Sequence, residues 1–245
     1  MTRPGSRITS VALALLNAIV LVPASAEDVS YRASLYLWGA GIEGETARGA
    51  DLDVGFDTLI RNLDLAFMGA LEARRGPWTL IGDVVYLNVS AEGGATLPIG
   101  DGPRVDAELG TKGWILDLSG AYRLVERERL QLDLLAGVRR LDLEIDFSNT
   151  IPGTRERRAS QGAWDLIGGL RGRIVLDQRW SLPWRVDLGA GQSDLAWQAL
   201  GGVSYRREAL AVSLLYRHLA WSFDDDERLD HIRFSGPMLA ASWHF

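Results

Sequence analysis

The chain contains no cysteine and a single lysine, Lys112, among its 245 residues. The lack of cysteine excludes thiol chemistry and cysteine-ligated metal sites. Every other basic side chain is an arginine, the residue best suited to buried bidentate pairs with carboxylates. The three histidines, His218, His231 and His244, are too widely spaced to indicate a metal site, and we expect no metal and no cofactor. The formal net charge of −6 argues against nucleic acid as a partner.

The first 26 residues have the pattern of a secretory signal peptide. Arg3 and Arg7 precede an apolar stretch over 11–22, and Ala24-Ser25-Ala26 forms a small-x-small cleavage site. This stretch is shorter than the roughly 20 apolar residues that a transmembrane helix needs. We therefore expect residues 1–26 to be removed on export, leaving one domain over 27–245.

No long apolar run follows residue 26, so the remaining chain has no candidate membrane-spanning helix. An exported chain of this kind can be embedded in a membrane only as a closed β-barrel. Residues alternate between apolar and polar through most of the chain, as in "WILDLSGAYRL" (114–124), "WDLIGGLRGRIVL" (164–176) and "WSLPWRVDL" (180–188). Alternating segments separated by turns are typical of outer-membrane barrels, and of soluble lipocalin-like barrels too.

The spacing of aromatic residues distinguishes these two kinds of barrel. Three pairs are eight positions apart and therefore share the outward face: Trp78 and Tyr86, Trp114 and Tyr122, Trp197 and Tyr205. Eight residues of a tilted strand rise roughly 20 Å, close to the height of a lipid-facing band between two aromatic girdles. In a soluble barrel these rings would lie in water, where large apolar patches are rare.

Loop lengths predict an all-β, closed antiparallel transmembrane barrel of about 10 strands, with 8 or 12 as alternatives. Four tight, charged connections at 72–78, 124–130, 175–180 and 205–210 have the length of periplasmic turns, whereas the connections between them are mostly longer. The predicted strands are 30–41, 63–74, 78–90, 110–124, 129–147, 161–176, 180–188, 194–206, 209–222 and 230–245. If 50–56 also crosses the membrane, the barrel must have twelve strands, because single-chain bacterial barrels have an even number of strands.

Two local features interrupt the strand pattern. "FDTLIRNLDLAF" (56–67) has helical spacing after Asp57, a suitable N-cap, and predicts one short helix near 57–63. In segment 129–147 the leucines change parity between Leu134 and Leu141, which indicates either a β-bulge near Arg139-Arg140 or the point where the strand leaves the membrane.

"SLYLWGAGIEGE" (34–45) matches the dinucleotide-binding pattern G-x-G-x-x-G at Gly39, Gly41 and Gly44. That motif requires a helix to begin at the glycines, so that its N-terminus faces the pyrophosphate. The following "ETARGADLDVGF" contains two more glycines and alternates with period 2, and no βαβ repeat is present. We therefore interpret these glycines as the flexible upper end of the first strand.

The inward positions of the predicted strands are unusually rich in charge. They are predicted to form ion pairs in the lumen, either as a filling ladder or as the lining of a narrow solute path. The set comprises Asp64, Glu72, Arg74, Asp83, Asp117, Arg123, Asp133, Asp165, Arg171, Arg173, Arg185, Asp187, Arg206 and Arg217, together with Arg32 and Arg139.

The segments "YLWGAGIEGE", "FDTLIRNLDLAFMGALEARRGPW", "GDVVYLNVS" and the terminal "SGPMLAASWHF" resemble outer-membrane β-barrel proteins of Gram-negative bacteria. The resemblance implies an outer-membrane location, contact with membrane lipid and lipopolysaccharide, and insertion by the barrel-assembly machinery. Trp243 and Phe245 are similar to the terminal signal that this machinery reads. The resemblance implies no catalytic residues.

These observations predict an integral outer-membrane protein with a structural role or a narrow passive conduit, and no enzyme activity. One alternative is an outer-membrane enzyme of protease or lipase type, for which Asp51, Asp53, Asp230 and His231 are the nearest candidate residues. The other is a soluble periplasmic binding barrel. The oligomeric state is not predicted.

Overall fold

The computed structural model describes residues 29–46, 51–54, 63–91, 107–149, 157–223 and 229–245. No α-helix in these ranges is long and apolar enough to cross a membrane. The predicted helix near 57–63 falls largely on residues outside the described ranges, as does the predicted signal peptide. The strands are β1 (Val29–Trp38), β2 (Gly41–Thr46), β3 (Asp51–Val54), β4 (Leu63–Arg75), β5 (Trp78–Ala91), β6 (Ala107–Arg127), β7 (Leu130–Asn149), β8 (Arg157–Val175), β9 (Trp180–Gly191), β10 (Leu195–Arg207), β11 (Leu210–Ser222) and β12 (Leu229–His244).

Ten antiparallel strands close into a barrel, as the sequence predicts. β1 pairs with β4 on one side and with β12 on the other, and β4 to β12 follow one another in sequence order. Closure leaves no exposed sheet edge along the wall, which a bilayer requires because lipid offers no hydrogen bonds.

β2 and β3 form a short hairpin that lengthens the wall without adding to the barrel's strand number. Residues 238–244 of β12 pair with β1, whereas residues 229–235 pair with β2. β3 has four residues, too few to cross a membrane. The sequence-based alternative of twelve membrane-crossing strands is therefore wrong, and the segment predicted as one long outer loop contains this hairpin.

The predicted first strand, 30–41, breaks after Trp38, and β2 begins at Gly41. The break is a place of close backbone approach, since a Cβ on Gly236 would lie 1.9 Å from the Gly39 carbonyl oxygen. Gly41 and Gly44 lie within β2, so no helix begins at the glycine motif. The geometry that a dinucleotide needs is absent there, as the sequence indicates.

The two ends of the barrel differ in their connections. At one end, here called the short-turn end, β4–β5, β6–β7, β8–β9 and β10–β11 are joined by turns of two to four residues. Gly76 adopts a φ of +55° in the first of these turns, a conformation that favours glycine. The other end, the long-loop end, carries the longer connections together with the three-residue β9–β10 connection. In outer-membrane barrels short turns face the periplasm and long loops face the exterior.

β7 shows no bulge at Arg139-Arg140, because its register with β6 and β8 is continuous through both residues. The bulge predicted there is wrong. The leucines change parity because the environment changes: Leu134 is half exposed on the outer face, whereas Leu141 is buried inside the barrel. Arg140 meanwhile pairs with Asp142 on the outer face. This supports the other interpretation, in which β7 leaves the membrane in this region.

The outer surface of the barrel is an apolar band. Leu37 and Leu166 are 70% and 72% exposed, and many more leucine, valine and aromatic side chains share this surface. In a water-soluble barrel such a surface would be an aggregation liability, whereas in a bilayer it contacts lipid.

The six predicted girdle residues lie at the two edges of the apolar band. Trp78 and Tyr122 pack at 4.8 Å near the short-turn end, and Tyr205 packs on Trp180 at 4.9 Å at the same level. Tyr86 packs on Trp114 at 4.3 Å nearer the long-loop end, where Trp197 packs on His218. Rings at these levels can place their polar atoms at the lipid–water boundary.

Candidate functional site in the barrel interior

A first group of charged side chains lies in the lumen near the short-turn end. Arg171 joins two carboxylates, with Nη1 3.1 Å from Glu72 Oε2 and Nε 3.1 Å from Asp133 Oδ2. Arg32 also pairs with Glu72, and Arg123 also pairs with Asp133. We call these five residues the lower network. It connects strands that are far apart in sequence, since residues 72 and 171 come from opposite parts of the barrel wall.

A second group lies deeper in the lumen and is excluded from solvent. Arg139 Nη2 is 2.9 Å from Asp117 Oδ2 and 2.8 Å from Asp187 Oδ1, and all three side chains are fully buried. Arg185 joins the same two carboxylates at 2.8 and 2.7 Å. Two arginines and two aspartates thus neutralise each other, which is the condition under which buried charge is tolerated.

Arg217 extends this second group towards β1. Its Nε donates to Gln198 Oε1 at 2.9 Å, while Gln198 donates to Asp187 Oδ2 at 3.2 Å. Its Nη1 lies 3.3 Å from Asp83 Oδ1, and Asp83 accepts a hydrogen bond from the Tyr36 hydroxyl at 2.9 Å. The middle network comprises Asp117, Arg139, Arg185, Asp187, Gln198, Arg217, Asp83 and Tyr36.

An apolar layer fills the lumen on the long-loop side of the middle network. The Trp38 ring stacks on Arg217, with the guanidinium carbon 4.9 Å from the ring centroid. Trp221 packs against Phe234, with Leu219, Ile232 and further buried residues around them. The upper lumen is therefore a packed hydrophobic core enclosed by the barrel wall.

Asp165 was predicted to form an ion pair, but it lies beside this apolar layer without one among the described residues. Its Oδ2 accepts a hydrogen bond from Trp221 Nε1 at 3.0 Å, and its Oδ1 accepts one from the Ser193 backbone N–H at 3.0 Å. The carboxylate thus anchors a core tryptophan and the β9–β10 connection. Uncharged donors satisfy it, and Arg139, which faces Asp165 on β7, forms its ion pairs with Asp117 and Asp187 instead.

Three other predicted residues take no part in either network. Arg74 lies at a turn, where it contacts Glu126 at 3.4 Å and the Gly76 carbonyl. Arg173 and Arg206 line the lumen near the short-turn end, and the described residues form no ion pair with either. The side chain of Asp64 is outside the described part of the chain.

Sequence reasoning missed Tyr36, Trp38 and Gln198. The signal was nonetheless present, since Tyr36 and Trp38 share the parity of Arg32 on β1, and Gln198 shares that of Arg206 on β10. All three are uncharged, so a prediction based on inward-facing charges does not include them. The tyrosine hydroxyl and the glutamine amide connect charged residues that would otherwise be separate.

A cavity of about 710 Å³ occupies the lumen between the middle network and the short-turn end. We call this cavity the vestibule. It extends to the β8–β9 turn, where Asp177 Oδ1 accepts backbone N–H bonds from Arg179 at 2.7 Å and Trp180 at 2.8 Å. These donors lower the pKa of the Asp177 carboxyl below its ordinary value. The described residues contain no group of three His, Asp or Glu side chains that could hold a metal ion.

No protein-family model matches the chain, and no curated protein matches its sequence. Solved structures do match its fold. The translocator domain of the autotransporter NalP from Neisseria meningitidis has a TM-score of 0.52 at 10% identity, over 97% of this chain and 98% of that one. The outer membrane protease OmpT from Escherichia coli has a TM-score of 0.53 at 10% identity, over 92% and 99%.

Ten closed strands, an apolar outer band edged by aromatic rings and charged networks in the lower and middle lumen together define an integral outer-membrane β-barrel protein. At this level of identity the matched structures share the fold and say nothing of activity. The role of this barrel therefore has to be argued from its own interior.

Proposed function

We propose that the protein is a structural, non-conducting outer-membrane barrel. The observation that supports this proposal is the closed lumen. Arg139, Asp117 and Asp187 have no solvent-exposed side-chain surface, and Leu219 and Ile232 beyond them are likewise fully buried. A passive conduit would need a continuous wet path, and side chains along such a path would contact water.

The composition of the closed part also argues against ion flow. A hydrated ion moving towards the long-loop end would first have to separate the buried charges of the middle network. It would then enter a layer of tryptophan, phenylalanine and aliphatic side chains, where an unpaired charge is strongly disfavoured. Small barrels commonly have interiors filled by side chains, and this ten-stranded barrel does so over its upper half.

Conductance across a planar bilayer tests this proposal. Refolded wild-type protein is expected to give no current steps in 1 M KCl. The double substitution Trp221→Ala with Phe234→Ala removes two rings from the apolar layer and is expected to produce measurable leakage. Leu214→Ala, on the lipid-facing surface, is the matched control and should stay silent.

Wild-type current steps that change in size when Arg139 is replaced by Gln would contradict the proposal, because they would have to pass through the lumen. Steps insensitive to every lumen substitution would instead come from contaminating channels.

The proposal includes the absence of enzyme activity. Asp230 and His231, the nearest candidate pair, are consecutive residues of β12 and so lie on opposite faces of the strand. Hydrolysis of peptide or phospholipid substrates that disappears in His231→Ala would contradict this part of the proposal. Equal background rates in wild type and variant would agree with it.

The specific partners also belong to the proposal. The apolar band supports contact with membrane lipid. Arg140, 5.6 Å from the Trp164 ring centroid on the outer face, is a described residue able to meet lipopolysaccharide phosphates. Trp243 and Phe245 lie exposed on the outer face of β12 and its end, which suits recognition by the assembly machinery. Truncation of Phe245 should lower the amount of inserted barrel.

A further inference from the structure

The vestibule has a charge opposite to that of the whole chain. Eight arginine side chains line it, against four carboxylate side chains, although the complete sequence carries a net charge of −6. The middle network above it, which shares Arg185 and Asp83 with the vestibule, contains three arginines and three aspartates and is balanced. The positive excess is therefore confined to the part of the lumen that is nearest the periplasm.

The four carboxylates of the vestibule are already engaged. Glu72 and Asp133 each pair with two arginines of the lower network. Asp83 accepts from Arg217 and Tyr36, and Asp177 accepts two backbone N–H groups of its own turn. No side-chain carboxylate in the described part of the vestibule remains to neutralise another guanidinium.

Arg173 and Arg206 are the strand guanidinium groups of the vestibule that form no ion pair with the described residues, while Arg179, in the β8–β9 turn, donates to the Tyr205 hydroxyl at 3.5 Å. Arg173 lies within electrostatic range of Arg32, Arg206 and Arg171, and Glu72 is the one carboxylate among its principal electrostatic neighbours. Like charges held together in a partly enclosed space repel each other, and a bound anion relieves that repulsion. The closed barrel wall fixes the cluster, since each of these residues sits on a paired strand.

Hydroxyl groups complete the lining. Ser34 and Ser242 form one pair, with 2.7 Å between their oxygens, and Ser204 and Ser213 form another at 2.8 Å. All four residues line the vestibule. In each pair one hydroxyl donates its single proton to the other, and the second hydroxyl can rotate to donate a hydrogen bond to an anion. The cavity volume of about 710 Å³ lies within the range of small-molecule binding sites, roughly 300–1,000 Å³.

We propose that the vestibule is a binding site for a small oxyanion entering from the periplasm, with Arg173 and Arg206 as its main ligands. Guanidinium groups present a planar fork of N–H donors that matches phosphate and carboxylate oxygens. The site takes a molecule carrying at least two negative charges, because Arg173 and Arg206 are two cations without an ion pair among the described residues. Because the lumen above the vestibule is closed, an anion bound there is held and is not transported through the barrel.

Isothermal titration calorimetry of the full-length barrel in a non-ionic detergent tests the site. Pyrophosphate and citrate serve as phosphate and carboxylate probes, each titrated at constant ionic strength maintained with NaCl. Wild-type protein is expected to bind one equivalent of at least one probe. Preference for pyrophosphate would identify a phosphorylated ligand, and preference for citrate a carboxylate ligand.

Arg173→Gln and Arg206→Gln are each expected to weaken binding by about tenfold or more, since each removes charged hydrogen bonds. Arg173→Lys keeps the charge without the fork and should have intermediate affinity. Arg207→Gln is the matched control: Arg207 is the next residue of β10, exposed at the strand end, and its substitution should leave affinity unchanged.

Two results would overturn the inference: no saturable binding of either probe, or equal affinity in wild type, Arg173→Gln and Arg206→Gln. Circular dichroism of each variant establishes that the barrel is folded. Unfolding temperature without ligand provides a second readout, because removing Arg173 from a repulsive cluster should not lower it. Anion binding by Arg173 and Arg206 does not depend on the closed lumen, whereas capture without passage rests on the proposed function. Calorimetry tests the first and conductance the second, so the two can fail separately.

Discussion

Arg139 and Arg140 are consecutive residues of β7 in opposite surroundings. Arg139 is fully buried between Asp117 and Asp187, whereas Arg140 pairs on the outer face with Asp142, whose side chain is 49% exposed. Arg139→Met is expected to lower the free energy of unfolding by about 3–5 kcal/mol, because it leaves buried carboxylates short of a partner. Arg140→Met should cost about 0–1 kcal/mol. Urea titration of both variants measures the difference.

Similar losses in the two variants would mean that the middle network does not hold buried charge as described. Loss of stability in Arg139→Met should be partly restored by Asp117→Asn, since removing a carboxylate rebalances the network.

Asp177 stabilises the β8–β9 turn through its two backbone N–H bonds, and the lowered pKa follows from them. A carboxyl with a lowered folded pKa contributes stability above its unfolded pKa, and this contribution is lost as pH falls through the folded pKa. Asp177→Ala should therefore lower the unfolding temperature at pH 7, and the difference from wild type should shrink in acid. If the difference in unfolding temperature does not change with pH, the charge of Asp177 does not contribute to the stability of the turn.

At the scale of one element, β7 indicates where the membrane ends. Val138 faces outward between the levels of the two aromatic girdles, whereas Glu144 lies beyond the upper girdle. Val138→Arg is expected to destabilise the inserted barrel by about 2–4 kcal/mol, the cost of arginine near the middle of the lipid. Glu144→Arg should cost about 0–1 kcal/mol. Folding equilibria in lipid vesicles give both values.

An equal cost at both positions would place the upper membrane boundary elsewhere on β7. The two substitutions introduce the same side chain on the same face of the same strand, so depth is the main variable that separates them.

At the scale of the whole molecule, the lumen should be open at one end and closed in the middle. Because the chain has no cysteine, single cysteines report accessibility without background. Gln131→Cys, in the vestibule, should react with a small charged thiol reagent at a rate near that of Glu128→Cys in the neighbouring turn. Ala196→Cys, fully buried in the apolar layer, should react at least 100-fold more slowly by this order-of-magnitude expectation. Comparable rates at all three positions would indicate a water-filled lumen.

Alternation within each strand determined which residues face lipid and which face the lumen. That pattern is local, with period 2, and it can be read from Trp114 to Leu124 without knowing any partner strand. The aromatic spacing and the short turns likewise lie within single segments, which is why the outer band and the ten strands follow from the sequence. The bulge predicted at Arg139-Arg140 is wrong because the change in leucine parity reflects a change in surroundings from lipid to the packed upper lumen, and not a break in the strand.

Tertiary structure alone decided which charges meet. Closure of β1 onto β4 and β12 brings Arg32 to Glu72, and the register around the wall brings Arg217 to Asp83, 134 residues away. The same closure turns the apolar inward residues of the upper half into one packed layer and leaves Arg173 and Arg206 without an ion pair among the described residues. Such pairings depend on register and strand tilt, which are set jointly by all ten strands and are not encoded in any one of them.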